Sequence, residues 1–390
     1  MKKIFTGMLA VALSVGMTAC SSESGADGET DKEVYKIGAI YSKTGPGSPL
    51  GEPEWNATEL LEKQINDDGG INGVPIEIIL ADDESTPEKA MEEMNRMIND
   101  ENVLAVLGTT TSGPSLAMKG LAMDSEVPMI SAGAAVGIIS PVEESKWVFK
   151  TPHSDAHAVE RVYMYLQDKG MKNVAILADS NAYGASGVEQ LEAMKDQYGI
   201  KIVANETYNT EDSEMKTQLT KINSTGADVV IVWGTNPGPA VIAKNMKDLG
   251  MDMPYIGSHG IANKSFIDLA GDAAEGVVIP TGKLLFPTQI EESDPQYEVI
   301  SNFYDSYTAA YDSEPTNFGS YGYDNVMLLV EALKAGATDR ESIRDYVEKD
   351  IKDFVGATGT FTFSAEDHNG LKADSMVLAK VKDGEWVLEK

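Results

Sequence analysis

The sequence predicts an α/β protein built as two doubly wound lobes, each around a mostly parallel sheet. Three observations predict it. Short β-branched runs alternate with longer amphipathic ones from residue 34 onward. The short runs are almost continuously apolar, as strands covered by helices on both faces are. The alternation then runs through a second time, in a folded length that exceeds what one hydrophobic core usually serves.

In the first pass YKIGAI (35–40), PIEIIL (75–80), NVLAVLG (102–108) and PMISAG (128–133) read as strands, with helical patterns at 53–68, 86–100 and 113–125. In the second, NVAILAD (173–179), KIVANE (201–206), DVVIVWG (228–234), PYIGS (254–258) and GVVIPT (276–281) are the strands, and 182–198, 213–224 and 237–249 the helices. Right-handed crossovers between such strands give doubly wound layers. The tail breaks the rhythm. Residues 294–311 and 318–349 read mostly as helix, while TGTFTFS (358–364), SMVLAKV (375–381) and EWVLEK (385–390) read as strands, with tight turns at HNG (368–370) and DG (383–384). These late strands are too few for a third domain and are expected to complete the two lobes.

The N-terminal end bears on location. MKKIFTGMLAVALSVGMTAC carries Lys2 and Lys3, an apolar run and small residues before Cys20, the pattern of a secretory signal. Met17-Thr18-Ala19-Cys20 resembles a bacterial lipobox, which implies cleavage before Cys20 and a lipid on its thiol. An ordinary signal with Cys20 incidental is the alternative. Cys20 is the only cysteine, so no intrachain disulfide can form. Residues 20–33 are small and acidic without apolar periodicity, a flexible tether. The formal charge is −31, and removing residues 1–19 takes two lysines and no acids, leaving −33. So acidic a chain repels phosphates and is not expected to bind nucleic acid.

Chemistry is read from the loops that follow strands, because ligands of open α/β sheets sit at the strands' carboxyl ends. VLGTTTSGPS (106–115) has the glycine spacing of a phosphate-cradling loop, but Pro114 stands where the lysine belongs. Without that cation a triphosphate is poorly served. The free N–H groups and positive end of the helix beginning there suit a single carboxylate, with Thr109, Thr110, Thr111 and Ser112 adding hydroxyls. The same threonines could simply cap the helix. The loop ISAGAAVGIISP (130–141), with Gly133, Ala134 and Ala135, has small residues that let backbone approach a ligand, or merely pack tightly. A second strand-to-Gly-Thr turn, DVVIVWGTNPGPA with Thr235, echoes the first. No catalytic set emerges: there is no G-x-S-x-G elbow and no cysteine nucleophile. His153 and His157 are spaced i, i+4 but lack companion ligands, so neither metal nor cofactor is expected.

The stretch from IGAIYSKTGPGSPLGEPEWNATELLEKQINDDGGINGVPIEIILADDESTPEKA, with LADSNAYG (177–184), GVVIPT (276–281), FGSYGYDNV (318–326) and VKDGEWV (381–387) in order after it, strongly resembles the branched-chain amino-acid binding proteins. These belong to the type I periplasmic-binding-protein superfamily and serve ABC importers. The resemblance covers residues 34–390. It implies two Rossmann-like lobes joined by three crossover strands, here 34–151 plus 283–371 and 152–282 plus 372–390, closing on a ligand. It places a carboxylate-holding hydroxyl at Thr109 beside Thr110, a second carboxylate loop at Gly133 to Ala135, a covering aromatic at Tyr183, and cleft residues at Trp55, Leu50 and Phe318.

Three positions depart from that family's amino-acid binders. His259 stands where a Glu pairs with the ligand ammonium, Thr235 replaces a supporting tyrosine, and Ala135 replaces a threonine. An ammonium facing no carboxylate would be costly to bury. The implied ligand therefore lacks the α-amino group or has it recognised differently, with His259 donating and its charge responsive to pH. Alternatively Asp155 or Asp179 takes the ammonium, or the placement is shifted. The expected function is a monomeric, lipid-anchored extracytoplasmic receptor that gives an amino acid or related small carboxylate to ABC permease subunits. A sensory receptor of the same fold is the alternative, and an enzyme is disfavoured.

Overall fold

Parallel strands need a crossover of a dozen or more residues, and the helices supply it. In the computed structural model, which describes residues 34–389, the first pass gives β1 (Tyr35–Tyr41), α1 (Ser48–Asp67), β2 (Ile76–Asp82), α2 (Pro87–Asn99), β3 (Val106–Gly108), α3 (Ser112–Asp124), β4 (Met129–Ser131) and β5 (Val148–Lys150). The second gives α4 (Asp155–Lys169), β6 (Asn173–Asp179), α5 (Ala182–Met194), β7 (Lys201–Tyr208), α6 (Lys216–Asn223), β8 (Val229–Trp233), α7 (Gly238–Asp248), β9 (Tyr255–Gly257), α8 (Lys264–Ala270) and β10 (Val278–Thr281). The tail adds α9 (Tyr297–Tyr311), α10 (Gly319–Lys334), α11 (Arg340–Lys349), β11 (Phe354–Val355), β12 (Thr360–Phe361), β13 (Val377–Lys382) and β14 (Glu385–Glu389). The signal, the tether and Cys20 lie outside the described residues.

The two sheets repeat one plan. Sheet one runs β2-β1-β3-β4-β5, all parallel, and sheet two runs β14-β13-β10-β9-β8-β6-β7. Its five parallel strands, taken in chain order, follow the same sequence as those of sheet one. In each, the order reverses beside the first strand, between β1 and β3 and between β6 and β8, which opens a crevice at the strands' carboxyl ends. Alternation along β1 sends Ile37, Ala39 and Tyr41 to one core, with residues of α10 and α11, and Ile40 to the other, with Met94 and Met118 of α2 and α3. Along β8, Val230 and Val232 join the core containing Ile242 and Phe266, while Val229, Ile231 and Trp233 join that of α4.

Several expectations are corrected. Two prolines compete for the start of α1; Pro49 takes the first turn, so the helix begins at Ser48 and keeps Pro53 inside. The 102–108 strand shortens to Val106–Gly108, because Asn102 has φ 52°, outside the strand region. The helical stretch 318–349 breaks at Gly336, φ 91°. The 358–364 strand joins neither sheet: it pairs with β11 as a two-stranded ribbon whose Phe361 and Phe363 pack into the sheet-one core. β13 and β14 do extend sheet two, but antiparallel. β5, α4 and α8 are elements the pattern did not bring out.

The chain passes between lobes at 151–154, 282–296 and 362–376. Two of these segments are stitched together. Ser154 Oγ donates to Asn369 Oδ1 (2.8 Å), His153 Nε2 lies 2.7 Å from Ser375 Oγ, and the Lys150 N–H donates to the His368 carbonyl (3.1 Å).

Gly108 ends β3 at φ 102°, and a Cβ there would lie 1.9 Å from the Ile40 carbonyl oxygen. Gly108→Ala should therefore cost at least about 2 kcal/mol, from left-handed strain plus overpacking. Its first unfolding transition is expected at lower temperature and lower denaturant; an unchanged midpoint would contradict the tight turn.

Candidate functional site

The loops leaving both sheets enclose a cavity of about 450 Å³. Sheet one contributes Gly47 after β1, Thr110, Thr111, Ser112 and Gly113 after β3, and Ala132 and Ala134 after β4. Sheet two contributes Tyr183 at the start of α5, Thr235 after β8, and His259 and Gly260 after β9. Leu50 of α1, with Phe318 and Tyr321 at the start of α10, supplies apolar wall. Across the cleft, the Val136 N–H donates to Ser186 Oγ at 3.3 Å, so the walls meet beside the cavity.

Helix α3 aims its start into this space. Its N-cap, Thr111, makes no side-chain capping bond. A helix leaves its first N–H groups without intrahelical partners, and here Ser112 and Gly113 carry them at the cavity wall. Pro114 lacks an N–H and settles into the same first turn without cost. The opposed helix α5 differs, since Asn181 accepts from the Gly184 N–H and caps it. The positive end offered to the cavity is thus that of α3.

The predicted residues divide. Thr110, Ala134, Tyr183, Thr235, His259, Leu50 and Phe318 line the cavity. Thr109 does not: it is fully buried, with its hydroxyl 3.3 Å from Ser115 Oγ and within reach of the Thr111 carbonyl. Gly133 turns its N–H to Ser131 Oγ (2.9 Å), and a Cβ there would crowd Ser115 and Ile138. Ala135 donates its N–H to Ser112 Oγ (3.2 Å) and packs into the α2–α3 core. Trp55 packs beside the sheet-one core with Lys43 over its ring, 5.3 Å from the centroid. Ser112 was expected for its hydroxyl, whereas it is its N–H that stands at the wall, and Gly113 and Tyr321 were not singled out as contacts. The run Thr-Thr-Thr-Ser gave four equivalent hydroxyls, and only the geometry after β3 tells which face the cavity.

On the sheet-two side, Tyr183, Trp233 and His259 form an aromatic triangle with centroids 5.6–6.1 Å apart. Tyr183 Oη accepts from the Gly260 N–H (3.1 Å) and lies 3.2 Å from His259 Nδ1. The phenol oxygen has room for both contacts, and which of the two groups donates in the Tyr183–His259 pair follows the imidazole tautomer. Nε2 is buried, and among the described residues no group meets it with full hydrogen-bond geometry, although the His153 backbone lies close enough to favour the protonated ring. Burial, then repulsion from Lys150 and His157, push the His259 pKa down to about 3. His259 is therefore neutral, and its charge does not respond near neutral pH as the sequence suggested.

Asp155 and Asp179, the alternative partners for an ammonium, both lie behind the lining. Asp155 is fully buried, and Asp179 accepts from the Asn181 N–H (3.1 Å) and Thr210 Oγ1 (2.9 Å). Glu211 alone among the described lining residues carries a carboxylate, and it is exposed. Behind Ala134, the buried Lys150 ammonium donates to the Ala134 carbonyl. Burial lowers the Lys150 pKa and raises that of Asp155, each charge opposing the shift of the other. His153 and His157 do not share a helix face, because α4 starts only at Asp155. His157 Nδ1 accepts from the Ser154 N–H, and among the described residues no cluster of metal-ligating side chains forms.

The sequence profile of the family described as periplasmic binding protein matches residues 34–385. The leucine-, isoleucine-, valine-, threonine-, and alanine-binding protein of Pseudomonas aeruginosa is 24% identical over 333 residues, covering 85% of this chain and 86% of its own. An extracellular ligand-binding receptor from Rhodopseudomonas palustris HaA2 superposes with TM-score 0.85 at 28% identity, covering 91% of this chain and 99% of its own. The branched-chain amino acid transporter substrate binding protein LivJ of Streptococcus pneumoniae, solved in complex with isoleucine, superposes at 0.79 with 27% identity, covering 92% of this chain and all of its own, 100%.

A histidine kept neutral by the fold makes stability fall with acid. The folded His259 takes a proton only near pH 3, whereas the unfolded one takes it near 6.5, so the unfolded state binds more protons between these values. Stability then drops by up to about 1.4 kcal/mol per pH unit for this residue as pH falls through that window. His259→Gln should show a shallower loss of Tm than wild type between pH 6.5 and 4. Parallel curves would contradict the buried, neutral imidazole; comparing the two proteins cancels the opposing contribution of buried acids such as Asp324, raised to about 7.

Proposed function

The chain belongs to the periplasmic binding protein family, and from that premise we propose that it is the extracytoplasmic solute receptor of an ABC importer. Members of this family are binding proteins rather than enzymes. In this reading, lipidated Cys20 tethers it to the membrane, and an amino acid or related small carboxylate passes from its cavity to the permease subunits. The amino-acid ligands named for its relatives support the substrate class.

The observation that carries the reading is the uncapped start of α3, aimed into a cavity walled by both lobes. A carboxylate placed against the Ser112 and Gly113 N–H groups completes their hydrogen bonding and meets the helix's positive end. The same ligand touches Tyr183 and His259 on the other lobe, so binding energy favours the closed arrangement, which a permease can recognise.

His259 shapes the choice of ligand. Its Nδ1 lies beside the Tyr183 phenol and its Nε2 is buried, so the imidazole puts a neutral ring at this wall where an ammonium would need a carboxylate. A ligand without an α-ammonium, a 2-oxo or 2-hydroxy acid or a plain carboxylate, fits better than an α-amino acid, whose cation would face no buried carboxylate.

Calorimetry with leucine, valine, 4-methyl-2-oxopentanoate and 4-methylpentanoate tests both levels. A deaminated acid is expected to bind at least about tenfold tighter than leucine, a difference of ~1.4 kcal/mol. Tight leucine binding would overturn the His259 argument and leave the importer reading; silence across a broad carboxylate panel would overturn the ligand class. Thermal shift offers a quicker screen, since ligand at ~100 times its Kd stabilises by about 2.7 kcal/mol. For the anchor, Cys20→Ser is expected to move the protein from the membrane fraction to the soluble fraction. Retention at the membrane would exclude the lipid on this thiol.

A further inference from the structure

Beneath the cavity wall at Thr110 lies a carboxyl group that the fold leaves without a cation. Glu54 of α1 is fully buried, and its Oε2 lies 2.5 Å from Thr110 Oγ1. Its other oxygen, Oε1, has no hydrogen-bond partner among the described residues. Thr110 Oγ1 also accepts from the Ser42 N–H at 3.0 Å. Ser42 in turn donates its hydroxyl to Asp83 Oδ1 (2.7 Å), so a second buried acid joins the same chain of hydrogen bonds.

The groups packed around Glu54 do not neutralise it. Asp83 follows β2, Tyr41 ends β1, and Tyr321 comes from α10 with Asp324 beside it; none carries positive charge. Lys43, on the loop after β1, turns its ammonium over the Trp55 ring (5.3 Å) and towards Glu52 (4.0 Å) instead. An isolated carboxylate in such surroundings gives up its charge rather than pay desolvation. Burial accordingly holds the Glu54 pKa well above the usual carboxylate range, with Asp83 adding to the rise and Thr110 opposing it.

The state of that proton decides what the cavity wall offers. A hydroxyl has one donor and two acceptor positions. If Glu54 is ionised, Thr110 must donate to it, and only a lone pair is left for the cavity. If Glu54 is protonated, it donates to Thr110; the Ser42 N–H fills the second acceptor position, and the Thr110 hydrogen is free. We propose that Glu54 stands as a neutral carboxylic acid that donates to Thr110, so that Thr110 presents its own hydrogen to an acceptor oxygen of the ligand. Glu54 is then a positioning residue that selects carboxylate-bearing ligands without touching them. This rests on the carboxylate reading of the cavity and adds a consequence: loss of the Glu54 proton turns a donor into a lone pair facing an anion, so affinity falls as pH rises.

The test uses the full chain, its Glu54→Gln and Thr110→Val variants, and 4-methylpentanoate as probe. In ligand-free protein at pH 7, the infrared difference between wild type and Glu54→Gln should show a protonated-carboxyl band in wild type. Wild-type affinity should weaken by about tenfold per pH unit above the pH at which that band titrates. Glu54→Gln, whose amide still donates to Thr110, should bind within about threefold of wild type at pH 7 and show no such dependence. Thr110→Val should lose about tenfold or more, the worth of a hydrogen bond to a charged group. Absence of the band overturns the inference, as does affinity that stays flat while the band titrates. If the band is present and no carboxylate binds, the ligand class itself is overturned.

Discussion

Backbone N–H groups at the start of a helix must find a partner, and in α3 the chain supplies none from its own side chains. Much of the molecule can be understood as what brings a ligand to that place. β3 ends in a glycine so close to Ile40 that no side chain fits, which turns the chain sharply into the loop. Thr109 is folded inward against Ser115, and Thr110 is left at the wall. The strand order reverses beside β1, so that the loop opens into a crevice instead of onto a neighbouring connection.

Sheet two repeats the plan with different chemistry. Its facing helix is capped by Asn181, and in place of free N–H groups it offers Tyr183 and His259, bonded to each other. One wall thus carries a helix's positive end, and the other a buried aromatic pair whose imidazole is neutral. Behind them the ionisable groups are kept out of the ligand's reach: Lys150 on the Ala134 carbonyl, Asp155 at the start of α4, Glu54 under Thr110. The cavity is therefore a place of dipoles and neutral donors, where an anion is held by preorganised hydrogen bonds and not by a formal counter-ion.

The alternating pattern was legible because parallel strands buried on both faces are apolar throughout, and β1, β6 and β8 show this over five or more residues. β5 is three residues long and ends in a lysine, so it escaped notice, whereas β3, β4 and β9 of equal length sit in longer apolar or Gly-flanked runs and were found. The 358–364 strand was visible as a strand, but its partner was not, since pairing is a tertiary property. At the site the loops were found and the individual atoms were not. Resemblance pointed to Thr109, Gly133 and Ala135, yet Ser115 engages the Thr109 hydroxyl, and Ser131 and Ser112 engage the Gly133 and Ala135 N–H groups. Glu54 was unremarkable in so acidic a sequence; its meaning comes from full burial beside Thr110.

The account turns on what fills the space before α3. A crystal structure of the protein with a tightly bound solute measures this most directly. The account predicts carboxylate oxygens within hydrogen-bonding distance of the Ser112 and Gly113 nitrogens, and Tyr183 and His259 closing over the other end. A solute seated elsewhere in the cleft, with those two nitrogens still facing only water, would contradict it.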